Sequence, residues 1–336
     1  MLKIKNKIPS ALTIGGKIVE RVLMRNEVVW EKVRLDYFYI ENIYAGTNII
    51  SLGDNQVVSN PFSNLQYSFD KVNWTSFTTS TTALDISLNQ GEKLYIRGDA
   101  NLGHVRLQIS GSQSHNVGGN INTLINYNDP NNVVLSSTAF KYLFKNDTKL
   151  TSASNLTLPA TTLGIACYAS MFSGCTSLTS TPELPATTLA QTCYQFMFSG
   201  CTSLTSAPAL PATTLANDCY RYMFSDCTSL VNGPSLPATT LKNYCYEGMF
   251  NGCTSLTSTP ILPATTLESY CYEFMFQNCT SLNYITVYAD DISATNCTYD
   301  WLSRVSSTGT FRNLGSATYE TDSTSGIPTG WTIVNS

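Results

Sequence analysis

The sequence predicts a multidomain α+β chain, with an N-terminal β hairpin and a β sandwich followed by a solenoid of short repeats. Three observations carry that expectation. One phrase recurs every 26 residues through the second half of the chain, and inside each copy apolar residues recur every four positions, as on one face of a helix. Upstream of the array, short apolar runs alternate with turn residues, the pattern of strands. Domains are expected at 1–33, 34–130 and 131–336.

In residues 1–33, Lys17 to Met24 and Val28 to Lys32 are apolar runs on either side of Arg25-Asn26-Glu27, which reads as a hairpin. The stretch from Ile8 to Gly16 is too short and broken for the apolar core of a signal peptide, so an export signal is not expected. The segment is either a small hairpin packed on the next domain or an anchor. The phrase from Ile14 to Glu31, ending Val28-Val29-Trp30-Glu31, is similar to the short β segments that open many phage tail and fibre proteins. That resemblance implies docking to other virion proteins through residues 1–33.

Residues 34–130 are expected to be all-β. Candidate strands run Tyr37–Tyr44, Leu65–Phe69, Ala83–Leu88, Lys93–Arg97 and Val105–Ser110, separated by Asn-, Asp- and Gly-rich turns. The segment from Tyr67 to Trp74 superficially resembles the Asp-box turn of sialidases, but the glycine is missing and the tryptophan comes one position early, so a structural turn is expected. His104 and His115, the two histidines, are expected at the surface or lightly packed. Asp70, Asp85, Asp99 and Asp129 offer carboxylates, yet nothing in the sequence selects a glycosidase pair among them. No nucleophile-elbow, zinc-protease, phosphate-loop or dinucleotide phrase occurs. An enzyme is therefore not expected, and neither a catalytic residue, a cofactor nor a metal site is assigned; a carbohydrate-active enzyme is the least favoured reading.

The repeat body begins near Ala139. LPATTL starts at Leu158, Leu184, Leu210, Leu236 and Leu262, each followed by Cys-Tyr, Met-Phe and Cys-Thr-Ser-Leu. Leu163, Cys167, Met171 and Cys175, with Tyr168 and Phe172 beside them, read as the apolar stripe of a short amphipathic helix ending at Gly174. Thr176 to Thr179 reads as a brief strand. Edited units flank the array: Ala139 and Asp147 stand upstream where cysteines would be, and Trp301 and Val305 replace the methionine and second cysteine downstream. Ten of the 11 cysteines form two columns of five. Neighbouring coils would place equivalent cysteines about 5 Å apart, within disulfide reach. The odd total and the preference of free cysteine for burial favour a reduced ladder; an oxidising compartment would allow some disulfides.

The order LP-x-x-x-L, CY-x-x-MF-x-x-C-T-x-L resembles the BspA-type leucine-rich repeats of bacterial and phage surface proteins, in a 26-residue variant with Met-Phe where Ala-Phe is usual. The resemblance covers Ala139 to Ile333 and implies a leucine-rich-repeat solenoid used for adhesion and display. Charged residues are 12% of the chain and the net charge is −4, which leaves no electrostatic footprint for nucleic acid. No run is long and apolar enough for membrane insertion.

Positions that vary between repeats are the candidates for binding. The residue before Cys-Tyr runs Ala166, Thr192, Asp218, Tyr244, Tyr270, and the second residue after that Tyr runs Ser170, Phe196, Tyr222, Gly248, Phe274. Phe196, Tyr222, Tyr244, Tyr270 and Phe274 are expected to form an aromatic stripe along stacked helices, suited to a host-surface glycan or protein, to packing on a neighbouring subunit of a homo-oligomer, or to no partner at all. The expected function is a phage structural protein of the virion, a tail or head fibre or receptor-binding component; the alternative is an adhesin at the bacterial cell surface.

Overall fold

The computed structural model describes residues 36–53, 65–79, 83–99, 107–321 and 325–335, together with the backbone of three strands before them. Those three, β1 (Leu12–Ile14), β2 (Lys17–Val19) and β3 (Val33–Arg34), form an antiparallel sheet in the order β1-β2-β3. Ile14 pairs with Lys17 and Val19 with Val33, and the expected hairpin about Arg25-Asn26-Glu27 lies outside the described residues. The remainder of the expected 1–33 anchor, and His104, lie outside the described residues.

Two sheets share a core over residues 36–120. β10 (Gln108–Gly111), β5 (Asn48–Gly53) and β8 (Leu84–Leu88) form one. The other has the order β12-β11-β4-β9-β6-β7, from β4 (Tyr39–Asn42), β6 (Leu65–Ser68), β7 (Thr75–Phe77), β9 (Lys93–Gly98), β11 (His115–Asn120) and β12 (Leu150–Thr157). Alternation places Ile50, Leu52, Ile86 and Ile109 of the first sheet and Ile40, Leu94 and Ile96 of the second, with Phe38 just before β4, in one apolar cluster. β12 pairs in parallel with β11 and, on its other edge, bridges to the first repeat at Ser180. The second sheet thus runs directly into the repeat stack, and the apolar cluster continues without a break to Trp331.

The repeats overturn the expected α+β class. Among the described residues there is no α-helix; two 3₁₀ turns, Ile121–Leu124 and Pro130–Asn132, are the helical structure present. The segment expected as a helix is a chain of overlapping β-turns. The amides of Cys167, Ala169, Met171, Ser173 and Cys175 each donate to the carbonyl three residues back. The intervening amides of Ala166, Tyr168, Ser170, Phe172 and Gly174 donate instead to the next coil, at Gln191, Cys193, Gln195, Met197 and Ser199, over 2.8–3.0 Å. Every second amide closes a turn and the others tie coils together, so the backbone is paired without helix or continuous strand.

The spacing explains why. Side chains alternate two in and two out, so Cys167-Tyr168 and Met171-Phe172 point inward and are buried. Four residues advance a helix by about 40° past a full turn, so twelve residues would carry the stripe from Leu163 to Cys175 about 120° around it. A turn repeating every four residues brings each of them back to one face. The inward rings stack coil on coil: Tyr168, Tyr194, Tyr220 and Tyr246 at 5.8 Å, and Phe172, Phe198, Phe224 and Phe250 at 5.4–5.9 Å. Parallel bridges join Thr162, Thr188, Thr214 and Thr240 on a second side, and the strand expected at Thr176 to Thr179 is instead a turn and loop that lead to a single bridge at Ser180. Beyond the last repeat, β13 (Tyr284–Val287), β14 (Gly309–Asn313) and β15 (Trp331–Asn335) continue the stack as a parallel sheet.

All 11 cysteines are free and buried. In the second column each thiol donates to a phenylalanine carbonyl of the preceding coil: Cys175 to Phe144, Cys201 to Phe172, Cys227 to Phe198, Cys253 to Phe224 and Cys279 to Phe250, at 3.0–3.2 Å. Cysteine suits this slot because it is small and carries a weak donor.

Candidate functional site

The outward face of the turn chain presents three pairs per coil. In the coil beginning at Leu184 these are Gln191-Thr192, Gln195-Phe196 and Ser199-Gly200, and the second member of each has a left-handed backbone, with φ of 55°, 55° and 75°. Such a φ at the third position is what a type II turn requires. In the third pair the left-handed residues are Asn146, Gly174, Gly200, Asp226, Gly252, Asn278 and Arg304. All but Arg304 are residue types that adopt this conformation readily.

The first two pairs hold every residue of the expected aromatic stripe. Phe196, Tyr222, Tyr244, Tyr270 and Phe274 all have φ between 50° and 61°, and all are half-buried. They lie in two columns of turns rather than along helices, with a third column between them that the sequence reading passed over. Phe196 and Tyr222 stack at 5.3 Å in one column, and Tyr244 and Tyr270 at 4.5 Å in the other. A Cβ at Gly248 would collide with the Tyr222 ring, which leans over that glycine. Phe274 meets Tyr299 edge-on at 5.8 Å.

Between the aromatic columns run Arg221, Glu247 and Glu273, on successive coils. Arg221 Nη2 donates to Glu247 Oε1 at 2.9 Å, and Nε lies 2.8 Å from Oε2 in an ion contact without an aligned hydrogen bond. Asp218 approaches the same guanidinium at 3.5 Å. The guanidinium carbon sits 5.7 Å from the Tyr222 ring centre and 5.5 Å from that of Tyr244, bridging the two stacks. The Glu247 side chain is 4% exposed, and burial raises its pKa against the lowering pull of Arg221. Burial, then the charge of Glu247, raises that of Glu273. Burial and Glu247 push the Tyr222 phenol up to about 12.

Sequence reasoning missed four members of this face: Arg221, Glu247, Glu273 and Tyr299. Each occupies the position directly after Cys-Tyr or its equivalent, so reading that column beside its neighbours would have found them. Tyr142, at φ 67° with Lys141 and Lys145 ammonium groups each 4.7 Å from its ring, continues one aromatic column into the upstream unit.

The carboxylates of the β domain do not converge on a site. Asp70 accepts from the amides of Val72 and Asn73 at 2.8 and 2.7 Å, which holds its carboxyl well below the usual range and makes it the organiser of its turn. Asp85 bonds Ser51, Asp129 bonds Asn132, and Asp99 bridges to Asn126 through the backbone.

His115 corrects the expected surface placement: it is fully buried at the start of β11. Its Nε2 lies 2.9 Å from Asp147 Oδ2, with neither side chain exposed, and its Nδ1 is 3.0 Å from the Gln113 carbonyl. Asp147 occupies the slot of the second cysteine column in the upstream unit, so the column that elsewhere ties coil to coil here ties repeat to β domain. Among the described residues no group of three or more His, Cys, Asp or Glu side chains is placed to hold a metal, and no helix is long and apolar enough to cross a membrane. Comparison with protein-family models, with curated proteins and with solved structures finds no match.

Proposed function

We propose that this chain is a non-enzymatic structural protein of a phage particle, a fibre or receptor-binding component that docks through residues 1–33 and displays its repeat face to the host surface. The observation that carries the adhesive half is the retention of large aromatic residues at left-handed backbone positions. Each costs about 1–2 kcal/mol relative to a residue suited to that conformation, and the same columns hold Gly248 and Ser170 in coils that stack in the same register. The backbone therefore does not need the rings, and strain kept at an outward position points to a use of the side chain. The resemblance to BspA-type repeats and the phage-like opening phrase support the same reading.

Two variants test the two halves separately. Removing residues 1–33 is expected to abolish incorporation into particles while the remaining domains stay folded. Replacing Phe196, Tyr222, Tyr244, Tyr270 and Phe274 with serine is expected to leave assembly intact and lower binding to host cells by roughly tenfold or more, the loss of ~1.4 kcal/mol. Normal incorporation of the truncated chain would refute the anchor. Recovery of the chain in the envelope fraction of uninfected bacteria would instead favour the cell-surface adhesin.

A further inference from the structure

The two ends of the stack are finished differently. At the upstream end β12 bridges to the first repeat on one edge and pairs with β11 on the other, so the β domain covers the ladder there. At the downstream end β15 pairs with β14 along its full length, and among the described residues no strand pairs with its outer edge. Its core face is open as well. Trp331, Ile333 and Asn335 share that face by alternation. Trp331 is buried, but Ile333 is 41% exposed and, with Asn335, Ala317, Tyr319 and Ile327, lines a cavity of about 370 Å³. An unpaired ladder edge and an uncovered apolar residue on the same strand are both satisfied by one more strand laid along β15.

Three other sheet edges are guarded, and this one is not. β7 is three residues long, β8 carries Asp85 at an exposed position, and β10 gives the Ile109 amide to Leu143. Short strands, charges and covering segments keep an edge from pairing with another chain. Trp331–Asn335 has neither charge nor proline, and its first four residues favour strands. The occupant that fits is the same strand of a second copy. Because the β domain already covers the upstream end, copies cannot continue the ladder head to tail, which leaves tail against tail. Two identical edges related by a two-fold axis pair antiparallel. With all five residues paired, Ile333 stands opposite Ile333, Thr332 opposite Val334 and Trp331 opposite Asn335, so no charges meet. Arg312 of β14, beside Val334, would lie three strand spacings from its copy, about 14 Å, beyond the screening length of about 8 Å. The pairing closes both ladders and brings the two Ile333 side chains together across the open cavities.

We infer that two copies of this chain associate tail to tail, β15 against β15 in antiparallel, to form one ladder through both stacks. The pairing holds whatever the repeat face binds, so it does not rest on the adhesive reading. Sedimentation of the full chain tests it. Over about 1 to 100 μM, the range in which a small interface shows its equilibrium, the mass is expected to rise from monomer to dimer and no further. Ile333→Lys sets two ammonium groups directly opposite each other and is expected to weaken association tenfold or more. Ile333→Cys is expected to form a covalent dimer under mild oxidation, because directly opposed residues bring their Cβ atoms to about 4.5–5.5 Å, near disulfide range. The 11 native thiols are buried and take no part. Val134→Cys, at a position 85% exposed, reports crosslinking by chance collision. A monomer mass at every concentration, masses growing past the dimer, or a dimer that Ile333→Lys leaves intact would overturn the inference. So would an Ile333→Cys chain that crosslinks no faster than Val134→Cys.

Discussion

Left-handed backbone recurs at three positions in every coil, and the third of them holds, Arg304 apart, the residue types that suit it. Gly200 and Thr192 stand at equivalent turns, at φ 75° and 55°. Gly200→Ala is therefore expected to cost about 1–2 kcal/mol although its new methyl would meet only ordinary contacts. Thr192→Gly is expected to gain roughly 0.5–1 kcal/mol, the relief of strain offset in part by the greater entropy of the unfolded chain. Urea unfolding of the two variants measures both; a Thr192→Gly protein less stable than the parent would show that the turn is not strained there. These positions were only partly legible in the sequence. Gly174, Gly200 and Gly252 mark one column, but a glycine ending each helix accounts for them equally well, and tyrosine or phenylalanine gives no sign of φ > 0. The carboxyls of the face add a pH signature. Burial raises the pKa of Glu273 and Glu247 in the folded chain, so the folded form holds these protons more tightly than the unfolded form. That contribution is complete below the unfolded value of about 4.3 and is lost as pH rises through the folded pKa. Glu273→Gln is accordingly expected to raise the Tm at pH 7, with the difference from the parent closing below pH about 4. A difference independent of pH would mean that the variant acts through packing alone.

At the scale of the coil, the determining feature is a carbonyl with two donors. Phe172 accepts from the amide of Cys175, which closes its own turn, and from the thiol of Cys201 in the next coil. The second cysteine column is thus a rung between coils as well as packing. Cys201→Ala removes the thiol donor and leaves a small void, and is expected to cost about 1–2 kcal/mol. Burial suppresses thiolate formation throughout the ladder and pushes Cys193 and Cys279 up to about 12. The folded chain should therefore react negligibly with a thiol-specific reagent at pH 8 and show close to 11 thiols after denaturation; fast reaction without denaturant would contradict the buried ladder. The 26-residue period, the cysteine columns and the inward leucines could all be read from the sequence because they state which side chains meet. The turn chain could not, because an apolar residue at every fourth position is also the local pattern of one helix face, and the drift of about 40° per step becomes decisive only when summed from Leu163 to Cys175. The strand runs of residues 36–120 were easier, being bounded by asparagine, aspartate and glycine turns such as the one Asp70 organises.

Across the whole molecule, the repeats and the β domain are coupled where β11 meets β12, and His115–Asp147 lies buried at that seam. The Gln113 carbonyl can only accept, so Nδ1 carries a hydrogen, and Nε2 lies against the Asp147 carboxylate in a contact without an aligned hydrogen bond. A stack of repeats gains stability from nearest-neighbour contacts and needs its exposed end covered. Here the β domain is that cover, and the pair is its polar fastening within an otherwise apolar cluster. Breaking a buried pair from one side strands the other charge, at about 3–5 kcal/mol, whereas replacing both partners by apolar residues is often neutral. His115→Leu and Asp147→Leu are each expected to destabilise by that amount, and the double variant to recover most of the loss. The single variants should also separate two unfolding transitions in calorimetry, because the seam then opens before either half melts. A double variant as unstable as the sum of the two single changes, with one transition in every protein, would show that the apolar cluster joins the two halves without help from the pair.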